Sequence, residues 1–431
     1  MMRRAMAVAL AGSMLLAGTP ALAQLLGGNG TLRGLLGASG PVGTVVGEID
    51  APLDGIGTTL RMASTEDMPS LRRDRLRLLL RANRAALDAD DAGNPVRRDE
   101  IVAIDLSPEA LKHAQATGFV LARQEAIEGL GLSVTILTPP KNLRTRKAIE
   151  ILRKADPQIR YTLDHVYEPA AAGLAPAPGP AATGGSAAGA TIGLIDGGVG
   201  NHPAFAGATI EQRGFAGPPR PSGHGTAVAS LMVGQAGAFH GVAPGTALLV
   251  ADVYGGAAAN GSAEAIVRAM GWLAVKGARV INISLVGPPN SLLEAGVAAL
   301  TRKNILVVAA VGNDGPAAPP QFPASYPGVV AVTGVDGRGK PLIEAGKPLH
   351  LDFAAPGADM AGAISGGGWE VVRGTSFAAP LVSARLAQLD HGNAARTLAA
   401  LVAEAKPAVG KTGRGIVCGN CATPPSALGL K

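Results

Sequence analysis

Five apolar, strand-like runs separated by helical patterns predict an α/β fold, a mostly parallel sheet with helices on both faces. The runs are Ile192 to Ile195, Ala247 to Val253, Val280 to Ser284, Ile305 to Ala310 and Val329 to Val335. Helices open between them near His224, Ser262 and Ser291. Strands this apolar are buried on both sides, and parallel neighbours need crossover helices to join them. Upstream, a shorter pattern runs in the order β-α-β-β-α-β, that of a small ferredoxin-like α+β domain. Pro169 to Ala190, rich in Ala, Pro and Gly and free of charge, separates the two and reads as a linker.

Taken in order, the chain opens with Arg3-Arg4, an apolar run through Leu16 and the small-residue site Ala21-Leu22-Ala23. These are the three parts of a secretory signal, residues 1–23, and the apolar run is too short for a membrane anchor. No later segment is long and apolar enough to span a bilayer, so the expectation is export to the periplasm or beyond, without an anchor. Residues 24–95 form a low-complexity segment followed by a basic helix, Ser70 to Leu87, with Ser70 as N-cap and Leu71, Leu76, Leu79, Leu80 and Leu87 apolar. Asp88 to Pro95 is a turn cluster.

The small domain, 96–168, takes strands at Ile101 to Leu106, Phe119 to Ile127, Leu132 to Thr138 and Ile159 to Val166. Ser107-Pro108-Glu109 opens its first helix with an N-cap and a proline at the first position. Its second helix, Thr145 to Lys154, aligns Ala148, Ile151 and Leu152 with Ala155 on one face. The main domain occupies 191–389, and a helix-rich tail with a cysteine pair occupies 390–431.

Composition narrows the function. The 431 residues are 47% hydrophobic but only 3% aromatic, so the cores rest on Ala, Val, Leu and Ile. A formal charge of +6, with the basic residues concentrated in the first 160 positions and no aromatic interleaving, argues against nucleic acid as a partner. Cys418 and Cys421 are the only cysteines; a lone C-x-x-C lacks the second pair of a structural zinc site, and a local disulfide is the simpler expectation in an oxidising compartment.

The chemistry is carried by four short stretches, each with an ordinary alternative. Asp196 ends the first main-domain strand in Ile195-Asp196-Gly197-Gly198-Val199, where it could simply cap a turn. His224, one of seven histidines, sits in Ser222-Gly223-His224-Gly225-Thr226 at a helix start. Asn313 ends a strand in Val311-Gly312-Asn313-Asp314-Gly315 and could be a turn residue. Ser376 lies in Gly374-Thr375-Ser376-Phe377-Ala378-Ala379-Pro380, just before a helix read as Phe377 to Leu386, and could be a plain N-cap. Together they supply what acyl transfer needs: a nucleophile, a base, a carboxylate to orient the base and an amide for the oxyanion.

With these motifs in the order Asp, His, Ser, the region from Thr191 to Gln388 closely resembles the subtilisin-like serine proteases. Asp196-Gly197-Gly198-Val199 with His202-Pro203, Gly223-His224-Gly225-Thr226 and Gly374-Thr375-Ser376 through Pro380 match the family's three segments. His240-Gly241-Val242-Ala243-Pro244 is similar to its stretch after the histidine. The resemblance implies a subtilisin-like fold and a serine endopeptidase with Asp196, His224 and Ser376 as its triad. It also implies Asn313 as oxyanion donor and no required cofactor. Substrate would lie between an edge strand at Ser284-Leu285-Val286 and a second rim at Asn260-Gly261.

The small domain then resembles the family's propeptide, an intramolecular inhibitor, with Leu163-Asp164-His165-Val166-Tyr167 as its last strand. Two departures stand out. Gly197 replaces the usual Ser or Thr after the aspartate, and Val286 stands where the family has Gly at the lip of the specificity pocket. No dense acidic loop suggests calcium, whose role stays open, and no metal site is expected. A catalytically silent fold acting as a binding or chaperone module is the rival reading; the intact quartet speaks against it. An esterase is disfavoured by the absence of Gly-x-Ser-x-Gly.

Overall fold

The computed structural model describes residues 67–170 and 191–431. The signal segment, most of the low-complexity stretch and residues 171–190 lie outside the described residues. The first described helix is α1, Met68–Ala82. It starts two residues before the expected Ser70: Asp67 is the cap residue, and the Ser70 hydroxyl donates back to the Asp67 carbonyl. It also ends short of Leu87, because Asn83 closes it and Leu87–Ala89 forms strand β1 against the next strand.

The small sheet follows as β2 (Pro95–Ile104), α2 (Pro108–Ala116), β3 (Val120–Ile127), β4 (Leu132–Thr138), α3 (Thr145–Ala155) and β5 (Arg160–His165). All pairings are antiparallel, with β2 flanked by β4 and β5, and β3 outside β4. This is the ferredoxin-like arrangement, its start moved upstream by β1. On α3 the buried face is Thr145, Ala148, Ile149 and Leu152, an i, i+3, i+4, i+7 stripe, while Ile151 is exposed. The expected face was therefore rotated by part of a turn.

A short strand, β6 (Glu168–Pro169), leads to the main domain. There the order is β7 (Thr191–Asp196), β8 (Ile210–Gly214), α4 (Gly223–Val233), the small pair β9 (Gln235–Ala236) and β10 (Phe239–His240), β11 (Ala247–Asp252), α5 (Ala263–Val275), β12 (Val280–Ile283) and β13 (Leu285–Val286). After these come α6 (Ser291–Arg302), β14 (Leu306–Ala310), β15 (Val329–Val335), β16 (Phe353–Pro356), the hairpin β17 (Met360–Ala363) and β18 (Trp369–Val372), α7 (Thr375–Gln388) and α8 (Ala394–Glu404).

Seven parallel strands form one sheet in the order β16-β15-β14-β12-β7-β11-β8. Side chains alternate between two apolar clusters. Ile192, Leu194, Val250 and Val308 pack with α4 and α7, whereas Ile195, Leu249, Ile281 and Val307 pack with α5 and α6. Both faces are covered, which is why these strands read as unbroken apolar runs. The two edge strands did not. β8 is Ile-Glu-Gln-Arg-Gly and half exposed, and β16 is four residues ending in proline.

The tail guards the β16 edge: the Ala354 N–H donates to the Gly415 carbonyl and the Val417 N–H to the Ala354 carbonyl. Cys418 and Cys421 form a disulfide there. No helix among the described residues is long and apolar enough to cross a membrane.

The chain runs outward in both directions from β7, so the carboxyl ends of β7 and its neighbours meet at the topological switch point, where sheets of this kind form their crevice. Asp196 ends β7 on that rim, Ser284 follows β12, and Val311-Gly312-Asn313 follows β14.

Candidate active site

The Asp196 loop and the start of α4 approach until backbone nearly touches backbone. A side chain at position 225 would put its Cβ 2.3 Å from the Gly197 carbonyl oxygen, so only glycine permits the contact. Ser222 caps α4 by accepting from the Gly225 N–H at 2.9 Å. The result brings His224 Nδ1 to 2.9 Å from both carboxylate oxygens of Asp196, with both side chains 0% exposed. A carboxylate at Nδ1 selects the tautomer protonated there and leaves Nε2 with a lone pair. The Gly197 N–H also donates to Asp196 Oδ1, at 2.7 Å.

Ser376 is the second residue of α7, which starts at Thr375, two residues before the expected Phe377. Gly374, at φ 141°, turns the chain into it. Helix α7 is apolar on nearly every side and buried between the sheet and α4, which fixes the hydroxyl rigidly. Pro380 lacks the N–H that would bond the Ser376 carbonyl four residues back. The Ser284 hydroxyl takes that role, donating to the Ser376 carbonyl at 3.0 Å, and itself accepts from Asn282 Nδ2 at 2.9 Å. His224 Nε2 and Ser376 Oγ are both buried and make no hydrogen bond in this state. Phe377 packs on the imidazole, ring centroids 5.4 Å apart.

Asn313 is oriented from behind. Its Oδ1 accepts from the Thr375 N–H at 3.0 Å, and the Thr375 hydroxyl accepts from the Gly312 N–H at 3.1 Å. An oxygen so engaged turns Nδ2 toward the crevice, where it donates to the carbonyl of Ala170.

That carbonyl belongs to a segment threaded through the groove. Residues counted as the start of a linker are held as a strand: β6 pairs antiparallel with β13, Pro169 opposite Leu285 and Glu168 opposite Val286. The Ala170 N–H donates to the Ser284 carbonyl at 2.8 Å, and on the other rim the Tyr167 N–H donates to the Gly261 carbonyl at 2.9 Å. Gly261 has φ +80°, and a Cβ there would run into the Tyr254 ring. Asn260 is turned away, its amide donating to the Tyr254 carbonyl. Leu285 buries its side chain in the core. Val286 borders Gly312, beside Asn313, and shares an apolar cluster with Ala170.

Tyr167, the end of the propeptide-like motif, and Tyr254, unremarked in the sequence, complete the groove. Tyr167 is fully buried, its hydroxyl donating to the Pro288 carbonyl at 2.7 Å, and Tyr254 donates to the Tyr167 carbonyl at 2.8 Å. Among the described residues no cluster of three or more His, Cys, Asp or Glu side chains is arranged to hold a metal.

The small domain is bound to the same face. Val102, Ile104, Val134 and Ile136 from its sheet join the main-domain cluster around Ala269, Met270 and Trp272. Gly129 and Gly271 meet without side chains between them. Asp164 accepts from the Glu264 N–H at the start of α5 at 3.0 Å, and Asn290, which caps α6, donates to the Leu163 carbonyl at 2.8 Å. Burial, then Glu264 and Glu100, push the Asp164 carboxyl up to about 8.

A buried carboxylate–imidazole pair, a serine at a helix start and an aimed amide on a parallel sheet describe a serine-type peptidase. Residues 187–407 match the model of the subtilase family, and the chain belongs to that family as a serine-type endopeptidase. Subtilisin Savinase of Lederbergia lenta is 32% identical over 215 residues, 48% of this chain and 77% of that protein. Thermitase of Thermoactinomyces vulgaris is 30% identical over 235 residues, 52% of this chain and 84% of that protein. The solved structure of fervidolysin from Fervidobacterium pennivorans matches 78% of this chain and 62% of its own with a TM-score of 0.63. At 17% identity that likeness speaks for the fold.

Proposed function

We propose that the chain is an exported, self-processing endopeptidase precursor that cuts peptide bonds through Asp196, His224 and Ser376 and needs no cofactor. The observation that carries this reading is the Ala170 carbonyl, held against Asn313 Nδ2 by a strand whose neighbours bond it on both rims. In this reading His224 Nε2 takes the Ser376 proton as Oγ bonds to the carbonyl carbon. The oxygen gains the negative charge and is stabilised by Asn313 Nδ2 and the Ser376 N–H at the start of α7. His224 then gives its proton to the departing amine as the C–N bond breaks. Water repeats the sequence on the acyl ester, releasing the acid. The first substrate would be the chain itself, cut after Ala170, with the small domain left in place as inhibitor.

Labelling with a fluorophosphonate tests the reading. It predicts one adduct, on Ser376 of the processed form, and a mature N-terminus at Ala171. An unlabelled, correctly folded protein would make it a binding module instead.

Val286 should narrow the pocket that receives the residue before the cut, because a β-branched side chain is stiff at the entrance. Small or slender residues such as Ala or Leu are expected to be preferred over Phe or Tyr by roughly tenfold to two-hundredfold in kcat/KM. Val286→Gly should relax this in a peptide library varied only there; an unchanged ranking removes Val286 from the pocket.

Release of the inhibitor should depend on pH. In the docked state Asp164 keeps its proton up to about 8, whereas its ordinary value is 3.8. Docked protein therefore binds more protons between those values, and docking, strongest at low pH, weakens as pH rises through about 8. Glu264, also raised by burial though opposed by Arg123 and Arg268, adds in the same direction. The cut but undissociated complex should fall apart faster at about pH 8 than at about pH 5. The limit is about tenfold per pH unit for each proton. Asp164→Asn should flatten the profile, as read by size exclusion.

A further inference from the structure

Ahead of the small domain, α1 reaches into the groove with two arginines. Arg75 stands between two carboxylates: its Nε is 3.2 Å from Glu168 Oε1, and its Nη2 is 3.3 Å from Glu168 Oε2 and 3.0 Å from Asp314 Oδ1. Arg72 Nε lies 3.1 Å from Asp314 Oδ2, a charge contact rather than a directed hydrogen bond. Asp314 directly follows Asn313, and its side chain is 7% exposed. Met68 closes the cluster by packing over Gly315.

Counted back from Ala170, Glu168 is the third residue before the cut. Alternation along a strand points it to the same side as Ala170. Both carboxylates touch one guanidinium nitrogen, so the side chain at this substrate position ends where Asp314 begins.

We propose that Asp314 determines specificity, its carboxylate selecting a lysine or arginine three residues before the cleaved bond. The proposal rests on reading residues 166–170 as a bound substrate segment. Processing after Ala170 frees α1 to leave with the small domain, and Arg72 and Arg75 go with it. Every ion pair of Asp314 among the described residues is with those two arginines. Arg373 of the main domain, whose partner Glu344 accepts from the Gly315 N–H through its backbone carbonyl, is already engaged with the Glu344 carboxylate at 2.8 and 2.9 Å. With Met68, Arg72 and Arg75 gone, Asp314 opens to the groove as an unpaired carboxylate, and a basic side chain from a substrate restores the pair. A lysine or arginine at the third position is long enough to bring its charge to where the Arg75 guanidinium stands. Glutamate there faces Asp314 across an empty gap and is repelled. The precursor avoids that repulsion only because Arg75 lies between the two acids, so helix and self-substrate are matched to each other.

The test uses the processed enzyme and four peptides differing only at the third residue before the cut: Lys, Arg, Gln and Glu. Expected is a Lys-to-Glu ratio in kcat/KM of roughly ten to a hundred, as for a charge-assisted contact, narrowing as salt is added. Asp314→Asn should bring that ratio near unity, and Asp314→Lys should invert it. Equal cleavage of all four peptides, or a Lys preference that Asp314→Asn retains, overturns the role of Asp314 alone. Failure to cut any of them overturns the protease reading as well.

Discussion

Ser376→Ala is expected to leave the precursor uncut and to abolish peptide hydrolysis, a loss of about 10⁶ in kcat, a magnitude carried over from subtilisin. The loss should be this complete because no neighbouring group can take over. His224 presents a single free nitrogen with Phe377 packed on its imidazole, and the Ser284 hydroxyl is already committed to the Ser376 carbonyl. Folding should survive, since the Ser376 hydroxyl makes no hydrogen bond in this structure. Gel analysis of purified variant and wild type after prolonged incubation reads the outcome directly. Cleavage after Ala170 at the wild-type rate would remove Ser376 from the reaction.

Asn313→Ala should lower kcat by roughly 10²–10³ with KM little changed, again the size known for this change in subtilisin. Alanine also breaks the bond from the Thr375 N–H to Asn313 Oδ1, so a loss of activity could come from a displaced loop. Asn313→Asp separates the two causes. It keeps an oxygen for Thr375 and replaces the Nδ2 donor with a second acceptor, turning stabilisation of the oxyanion into repulsion. A role in the oxyanion hole requires the aspartate variant to be at least as impaired as alanine. Activity close to wild type in Asn313→Asp would leave Asn313 a loop anchor.

The fold was legible where burial is two-sided. Ile192 to Ile195 and Ala247 to Val253 are apolar because helices cover both faces, and that produces a pattern short enough to read by eye. Edge strands lack it: β8 shows water a Glu, a Gln and an Arg, and nothing in Ile210–Gly214 separates it from a loop. The motif residues were legible because close contacts leave few choices of side chain. Gly225 against the Gly197 carbonyl leaves no room for a Cβ, and glycine beside a histidine is visible in a sequence.

The groove segment was not. Composition put the boundary before Pro169, but Glu168–Pro169 is a strand only because β13 offers it partners, and two residues carry no periodicity. The Arg75–Asp314 pair joins residues 239 positions apart, a distance no local pattern spans. Helix α1 was read two residues late and five too long because its leucines continue past the point where Asn83 ends it.

The bond from the Ser284 hydroxyl to the Ser376 carbonyl, occasioned by Pro380, joins the groove wall to Ser376 by one shared fastening. Ser284 also holds the segment in the groove, its carbonyl accepting from the Ala170 N–H. The wall and the nucleophile therefore keep a common alignment: a shift of about 1 Å in one stretches the other's hydrogen bond beyond useful length. A chain lying in the groove is thus gripped by the residue that sets the height of the serine, so registration of the substrate and aim of the hydroxyl are adjusted in the same motion.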